Sequence, residues 1–338
     1  MMKRKIVCSL LCFLLAGAVF AGGKSEGGAD KAYNLKFSNF VSAQHAIGVA
    51  IDRFCSTVTE KSAGKAKVTA YHNSELGSLR ESTENVQMGG TIDFVINSHG
   101  ALAVFQPSKR FAMFELYYVW KDVEDGLKFM NGPEGRKECD QYLEETGMLV
   151  LTNVYQGTRH VTNSIRPVKI PADMKGLRLR VPEAESSLEG IKAMSGTPIS
   201  MSFSELYSAM QQKVVDGQEN PLAQINDSKF FEVQNYLSRT AHSIQYGGFV
   251  TNNEKFTGMG ADLQKVIQDE ANACMRYMSD GLMKAEEDLA KSLAPKIAFN
   301  EVDKAAFMTA AAPMLDQFAK KIGPEAVALL GKIQAAQK

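Results

Sequence analysis

"YNLKFSNF" at residues 33–40, "HAIGVAIDRFCSTVTEKSAG" at 45–64 and "KAKVTAYHN" at 65–73 decide the fold class. The first alternates apolar and polar residues, as a half-buried strand does. In the second, Ile47, Ala50, Ile51, Phe54 and Val58 recur at helical spacing, and Gly64 closes the element. The third returns to alternation. A second helix over Ser78 to Met88 leads through Gly89 and Gly90 to the strand "IDFVINS" at 92–98. This β-α-β-α-β order predicts an α/β protein with a parallel or mixed sheet and helices packed on its faces.

A second unit of the same kind begins at "MLVLTNVYQGTRHVTNS", with a strand expected from Leu149 to Val154. It continues through the strand "GLRLRV", a helix from Ser186 to Met194, and a helix in "SFSELYSAMQQKV" opened by Ser202 and Glu205 at capping-box spacing. Past "YGGFVTN" runs a long amphipathic helix from Asp262 to Ala294, with Leu263, Val266, Ile267, Ala271, Cys274, Met278 and Leu282 near one face. Two short helices finish the chain. At 338 residues and 45% hydrophobic, it has material for two cores.

The first 21 residues read as an export signal: Lys3, Arg4 and Lys5, the apolar run Ile6 to Phe20, and Val19-Phe20-Ala21 as a cleavage site after Ala21. The 15-residue run falls short of the roughly 20 residues that span a bilayer. A lipid anchor at Cys12 is the competing reading, opposed by the bulky Leu11 before it. Residues 22–32 are a small, polar tether. Removing the signal takes three of 38 basic residues and no acidic ones, leaving 35 against 38. No basic excess points to nucleic acid. Cys55, Cys139 and Cys274 then remain, an odd and scattered set that reads as buried small hydrophobes.

Enzyme signatures do not emerge. His45, His72 and His99 fall 27 residues apart but share no flanking pattern, and no HxxxH or CxxC pair fixes two metal ligands on one element. Nothing fits a nucleophile elbow, a phosphate loop or a dinucleotide fingerprint. Arginines carry more information. Arg159 follows a strand and Arg180 lies in one. In open α/β sheets ligands bind outside the carboxyl ends of strands, where a guanidinium can hold a carboxylate through two parallel bonds. Surface charge and structural ion pairing are the competing roles. In "VVDGQENPLAQIND", residues 214–227, Asp216-Gly217 reads as a helix exit and turn. Asp216 and Glu219 read as scaffolding around a functional amide at Asn220, with Pro221 fixing the backbone after it.

These segments together resemble the extracytoplasmic substrate-binding subunits of TRAP transporters, of the dicarboxylate-binding-protein type. The resemblance rests chiefly on "GTRHVTNSIRPVKIPADMKGLRLRVPE", "SGTPISMSFSELYSAMQQKVVDGQENP" and "KFFEVQNYLSRTAH", in that order. "SELGSLRESTENVQMGGTIDFVINSHGALAVF" and "AGKAKVTAY" add weaker collinear matches. It implies a two-domain periplasmic-binding-protein fold, class II-like, with a ligand cleft between the domains and a long helix spanning them. Domain I would be residues 33–156 plus 246–285, and domain II 157–245 plus 286–338. Matching positions make Arg180 the carboxylate clamp, assisted by Arg159 and Asn220, with Phe203 as an aromatic wall. The first domain would contribute Asn39, Gln44, Glu81, Asn97, Ser98 and His99.

The implied function is periplasmic capture of a carboxylate ligand by hinge closure. Delivery would follow to the small and large membrane subunits of an ion-gradient-driven transporter, with an accessory periplasmic protein as a further partner. No catalysis, cofactor or metal is expected. "FAMFELYYVWKD", residues 111–122, departs from the family's Leu-Pro pair; its aromatics read either as core or as a pocket for a ligand with an apolar body. A ligand-presenting input to a signalling receptor and a secreted hydrolase are the rival functions.

Overall fold

The computed structural model describes residues 32–337. The proposed signal, its cleavage site and Cys12 lie outside them. Nine strands form one mixed sheet: β1 Tyr33–Ser38, β2 Ala66–Tyr71, β3 Phe94–Ser98, β4 Met148–Asn163, β5 Arg178–Val181, β6 Thr197–Ser200, β7 Gly217–Pro221, β8 Tyr236–Asn252 and β9 Ala298–Asn300. Their order is β2-β1-β3-β8-β4-β7-β5-β6, with β9 paired to β8. The 16-residue β4 and 17-residue β8 run antiparallel along their length. One end of this pair carries β3, β1 and β2; the other carries β7, β5 and β6. Two groups of parallel strands therefore share two long crossing strands.

The first β-α-β unit forms as its periodicity predicts. Helix Ala46–Lys61 buries Ile47, Ala50, Ile51, Phe54 and Val58, and His45 caps it by accepting from the Ile47 amide at 3.1 Å. Phe54 meets Phe37, Phe94 and Phe249 with ring centroids 4.9–5.7 Å apart, mostly edge to face. Truncating such a buried ring to alanine costs about 3–5 kcal/mol. Helix Leu79–Gln87 starts at a capping box of Ser78 and Glu81.

The 33-residue helix Ala261–Leu293 buries Leu263, Ile267, Ala271, Cys274, Met278 and Leu282 along one face. Its last residue, Leu293, belongs to a separate core cluster with Leu206, Met210, Ile225 and Phe230. One helix thus joins both apolar cores. Cys55, Cys139 and Cys274 are free and buried.

Four local expectations differ from the structure. β4 continues past Val154 to Asn163, so Arg159 lies within a strand. The last two helices are Lys304–Ile322 and Pro324–Ala335, the first of them 19 residues long. The helix after β6 begins at Leu206; the Ser202 hydroxyl donates to the Glu205 carboxylate at 2.7 Å and caps nothing.

Residues 217–221 are a wholly buried strand and not a turn. Gly217 is needed for close approach, because a Cβ there would stand 2.0 Å from the Thr162 carbonyl oxygen. Gly157 at φ +118° sits at a register shift in β4, where a Cβ would strike Pro221. This bulge lets β7 lie against β4 beside Arg159.

Candidate functional site

A pocket opens between the two strand groups. Together with the solvent open to its mouth, it takes in about 730 Å³ of empty space. The carboxyl end of β3 supplies Asn97 and Ser98, β4 supplies Gln156 and Arg159, and β8 supplies Gln245. Facing them are Arg180 from β5, Phe203 after β6, Asn220 from β7, and Gln224. Contacts also cross the mouth. The Ser42 hydroxyl donates to Asp227 at 2.5 Å, and the Phe40 and Phe203 rings meet edge to face at 5.2 Å.

The two pocket arginines are equally buried, at 3% exposure, yet differ in charge balance. Arg159 is neutralised. Its Nε and Nη2 donate to the two Glu219 carboxylate oxygens, Nη2 also reaches the Glu219 carbonyl, and Nη1 donates to Gln245 Oε1 at 2.7 Å. Burial alone would raise the Glu219 pKa, but the Arg159 charge and bonds from His242 and Arg159 hold it down at about 2.

Burial lowers the His242 pKa. A neutral ring fits its neighbours: Nε2 lies 3.0 Å from Glu219 and can donate, while Nδ1 lies 2.8 Å from the Thr240 hydroxyl and can accept. Glu115, also buried, completes this layer; the Gly100 amide donates to it at 2.5 Å, and Gln245 approaches at 3.4 Å.

Arg180 has no such partner. Nε donates to the Met201 carbonyl at 2.9 Å, while Nη1 and Nη2 make no hydrogen bond among the described residues. No carboxylate among those residues forms an ion pair with it. Burial, and then the charge of Arg159, push its pKa down to about 10, so it stays cationic at neutral pH. Its guanidinium carbon lies 5.9 Å from the Phe203 ring centroid. Arg178, two residues earlier, is exposed and paired to Asp216 at 2.8 Å. One cation with two unused nitrogens therefore faces the pocket.

Arg180, Arg159, Asn220, Phe203, Asn97 and Ser98 all lie on this pocket wall. Four other candidates do not. The Asn39 side chain is buried in the turn after β1, bonded to the Val41 carbonyl and to His72 Nδ1. Gln44 is exposed in the loop before helix Ala46–Lys61. Glu81 closes its helix capping box, accepting from the Ser78 amide at 2.8 Å. His99 is wholly buried against Phe111 and Phe114, with Nε2 2.8 Å from Asn153 Oδ1.

Glu219 is likewise no turn scaffold: it is the buried counter-charge of Arg159. The aromatics Phe111, Phe114, Tyr117 and Trp120 are core, 0–5% exposed, and none lines the pocket. The apolar wall comes instead from Phe40, Leu79, Val104 and Phe105, which lie inside the quoted segments 33–40 and 74–105 but were not singled out there. Gln156, Gln224 and Gln245 were also missed; only strand alternation around Arg159 could have pointed to the first.

A family model described as bacterial extracellular solute-binding protein, family 7, matches residues 37–321. A solute-binding protein of Verminephrobacter eiseniae (strain EF01-2) is 33% identical over 305 residues, covering 88% of each chain. Two solved structures are similar throughout. A TRAP periplasmic solute-binding protein from Polaromonas sp. JS666, bound to D-erythronate, aligns over 90% of this chain and 99% of its own at 30% identity and TM-score 0.84. Another, from Bordetella bronchispeptica with density assigned to pantoate, aligns over 90% and 100% at 28% identity and TM-score 0.84. The family match takes in the crossing strands, every other strand except the first four residues of β1, and every residue of the pocket wall. The chain belongs to the family 7 bacterial extracellular solute-binding proteins, the solute-binding subunits of TRAP transporters.

Proposed function

We propose that this protein captures a small carboxylate in the periplasm and hands it to the small and large membrane subunits of an ion-gradient-driven TRAP transporter, without changing it chemically. The observation that carries this reading is Arg180: a buried cation whose two terminal nitrogens have no partner among the described residues. A carboxylate satisfies both through parallel charge-assisted bonds. Arg159, held by Glu219, positions the floor and offers its field, and Asn220 keeps one of its two amide hydrogens free, the other going to Gln218 at 2.5 Å. The D-erythronate and pantoate named for the two relatives each carry one carboxylate.

The capture step is a hinge motion of two domains, residues 33–156 plus 246–285 and 157–245 plus 286–338. Closure brings Ser42 to Asp227 and Phe40 to Phe203 across the mouth and excludes water, which strengthens every charged bond inside. Bound carboxylate thereby favours the closed form. Export depends on the leader, cut after Ala21.

Isothermal titration of the mature chain against a panel of carboxylates tests the reading. The expected result is binding that disappears in Arg180→Ala and is partly kept in Arg180→Lys. Equal affinity of Arg180→Ala and the unaltered protein for the same carboxylate would sink it.

A further inference from the structure

Resting on the carboxylate reading, the geometry points to a narrower ligand class: a monocarboxylate with a compact apolar body, aromatic or branched, in place of a polyhydroxylated or dicarboxylic acid. Phe40, Leu79, Val104, Phe105 and Phe203 are the residues that select it.

Charge is the first argument. A second carboxylate needs a second free cation. Arg159 is neutralised by Glu219, and Arg80 at the mouth is bonded to Glu84 at 3.0 Å and lies 3.9 Å from Glu183. Glu183 itself lines the pocket and repels another anion.

Polar capacity is the second. A sugar acid brings several hydroxyls, each of which loses water on entry and needs a partner. Most polar side chains on the wall are already engaged. Asn97 donates to Thr83 and accepts from the Ser98 amide, the Ser98 hydroxyl accepts from the Ala101 amide, and Gln245 binds Arg159 and Glu115. Gln156 and Gln224 are the lining glutamines whose side chains make no hydrogen bond among the described residues, the Gln224 Oε1 being buried without a partner. Beside the carboxylate clamp, the wall thus leaves only the amides of Asn220, Gln156 and Gln224 for further oxygens.

Apolar surface is the third. Val104, a large apolar side chain that is 42% exposed, lines the pocket. Phe40 and Phe105, both half-buried, line the same pocket, and Phe40 meets the Phe203 ring edge to face. A sugar's hydroxyls against this wall would be desolvated with nothing in return. An apolar body covers it and gains by leaving water.

The test is calorimetry on the mature chain with phenylacetate, isovalerate and 4-methyl-2-oxovalerate against D-galactonate, D-glucuronate and succinate, with phenylacetamide as the uncharged control. At least one apolar acid should bind tenfold or more tighter than every comparator. Val104→Ser, at an exposed site, should weaken that acid about tenfold, the scale of a lost methylene contact, with unchanged melting temperature; Phe40→Ser should do the same or more.

A sugar acid or succinate binding tighter than all three apolar acids overturns the inference, as does no binding by any of them or no effect of Val104→Ser. The carboxylate reading fails separately. Phenylacetamide equalling phenylacetate, or Arg180→Ala retaining affinity, would remove the clamp while leaving the apolar wall.

Discussion

Arg159 and Arg180 stand on opposite flanks of β7, on β4 and β5, one wired into the protein and the other left open. Both are 97% buried. Arg159 spends nearly all its donors on Glu219 and Gln245, and Glu219 is further held by His242. Arg180 keeps both terminal nitrogens for the pocket. Burial does not distinguish the two arginines; an ion-paired counter-charge does.

The strongest way to break the comparison is to remove the counter-charge. Glu219→Ala leaves Arg159 buried without an acid and should lower unfolding free energy by about 3–5 kcal/mol, read by chemical denaturation. Arg180→Ala should do the opposite in kind. Affinity for carboxylate ligand should fall by about 2–5 kcal/mol in calorimetry, while stability holds or rises, since an unpaired desolvated cation has been removed. If the two variants lose equal stability, the contrast between wired and open arginine is wrong.

Acid should expose the wired layer. His45 and His99 have pKa values lowered by burial to about 4, and that of His242 is lowered too. A histidine harder to protonate when folded adds stability above its unfolded pKa of about 6.5, and that stability is lost as pH falls below it. Glu219, held at about 2, contributes above the unfolded carboxylate range and loses its share as pH falls from about 4.5 towards 2. Melting temperature should therefore decline from pH 7 to pH 4.5, and more steeply below. A flat profile over that span would contradict the buried neutral histidines. The smallest effect is expected at the surface: Arg178→Ala breaks an exposed pair with Asp216 and should cost under about 1 kcal/mol with no change in affinity.

Periodicity made the β-α-β units legible, because Ile47 to Val58 and Leu263 to Leu282 keep one buried face for the length of a helix. The two arginines were legible through their strands. Glu219 was not: the run Asp-Gly-Gln-Glu-Asn-Pro has the composition of a turn, and only its partners at Arg159 and His242, distant in sequence, make it a core residue. The candidates around β3 divide for a local reason. At the end of β3, Asn97 and Ser98 reach the pocket wall, but His99 begins a short helix whose turn carries its ring into the core. One residue of register separates the pocket wall from the packed core. The apolar wall escaped because Phe40, Leu79 and the pair Val104-Phe105 come from three separate segments, while the conspicuous aromatics Phe111, Phe114, Tyr117 and Trp120 lie in the interior.

The open arginine also bears on traffic at the membrane. On the proposed hinge motion, a cleft that shut empty would hold the Arg180 charge away from water with no carboxylate bonded to it, so vacancy itself would oppose closure. Solute supplies the missing charge and removes that opposition. A transporter that docks the shut form would then be approached mainly by loaded carriers, and idle copies would not block the gate in proportion to their number.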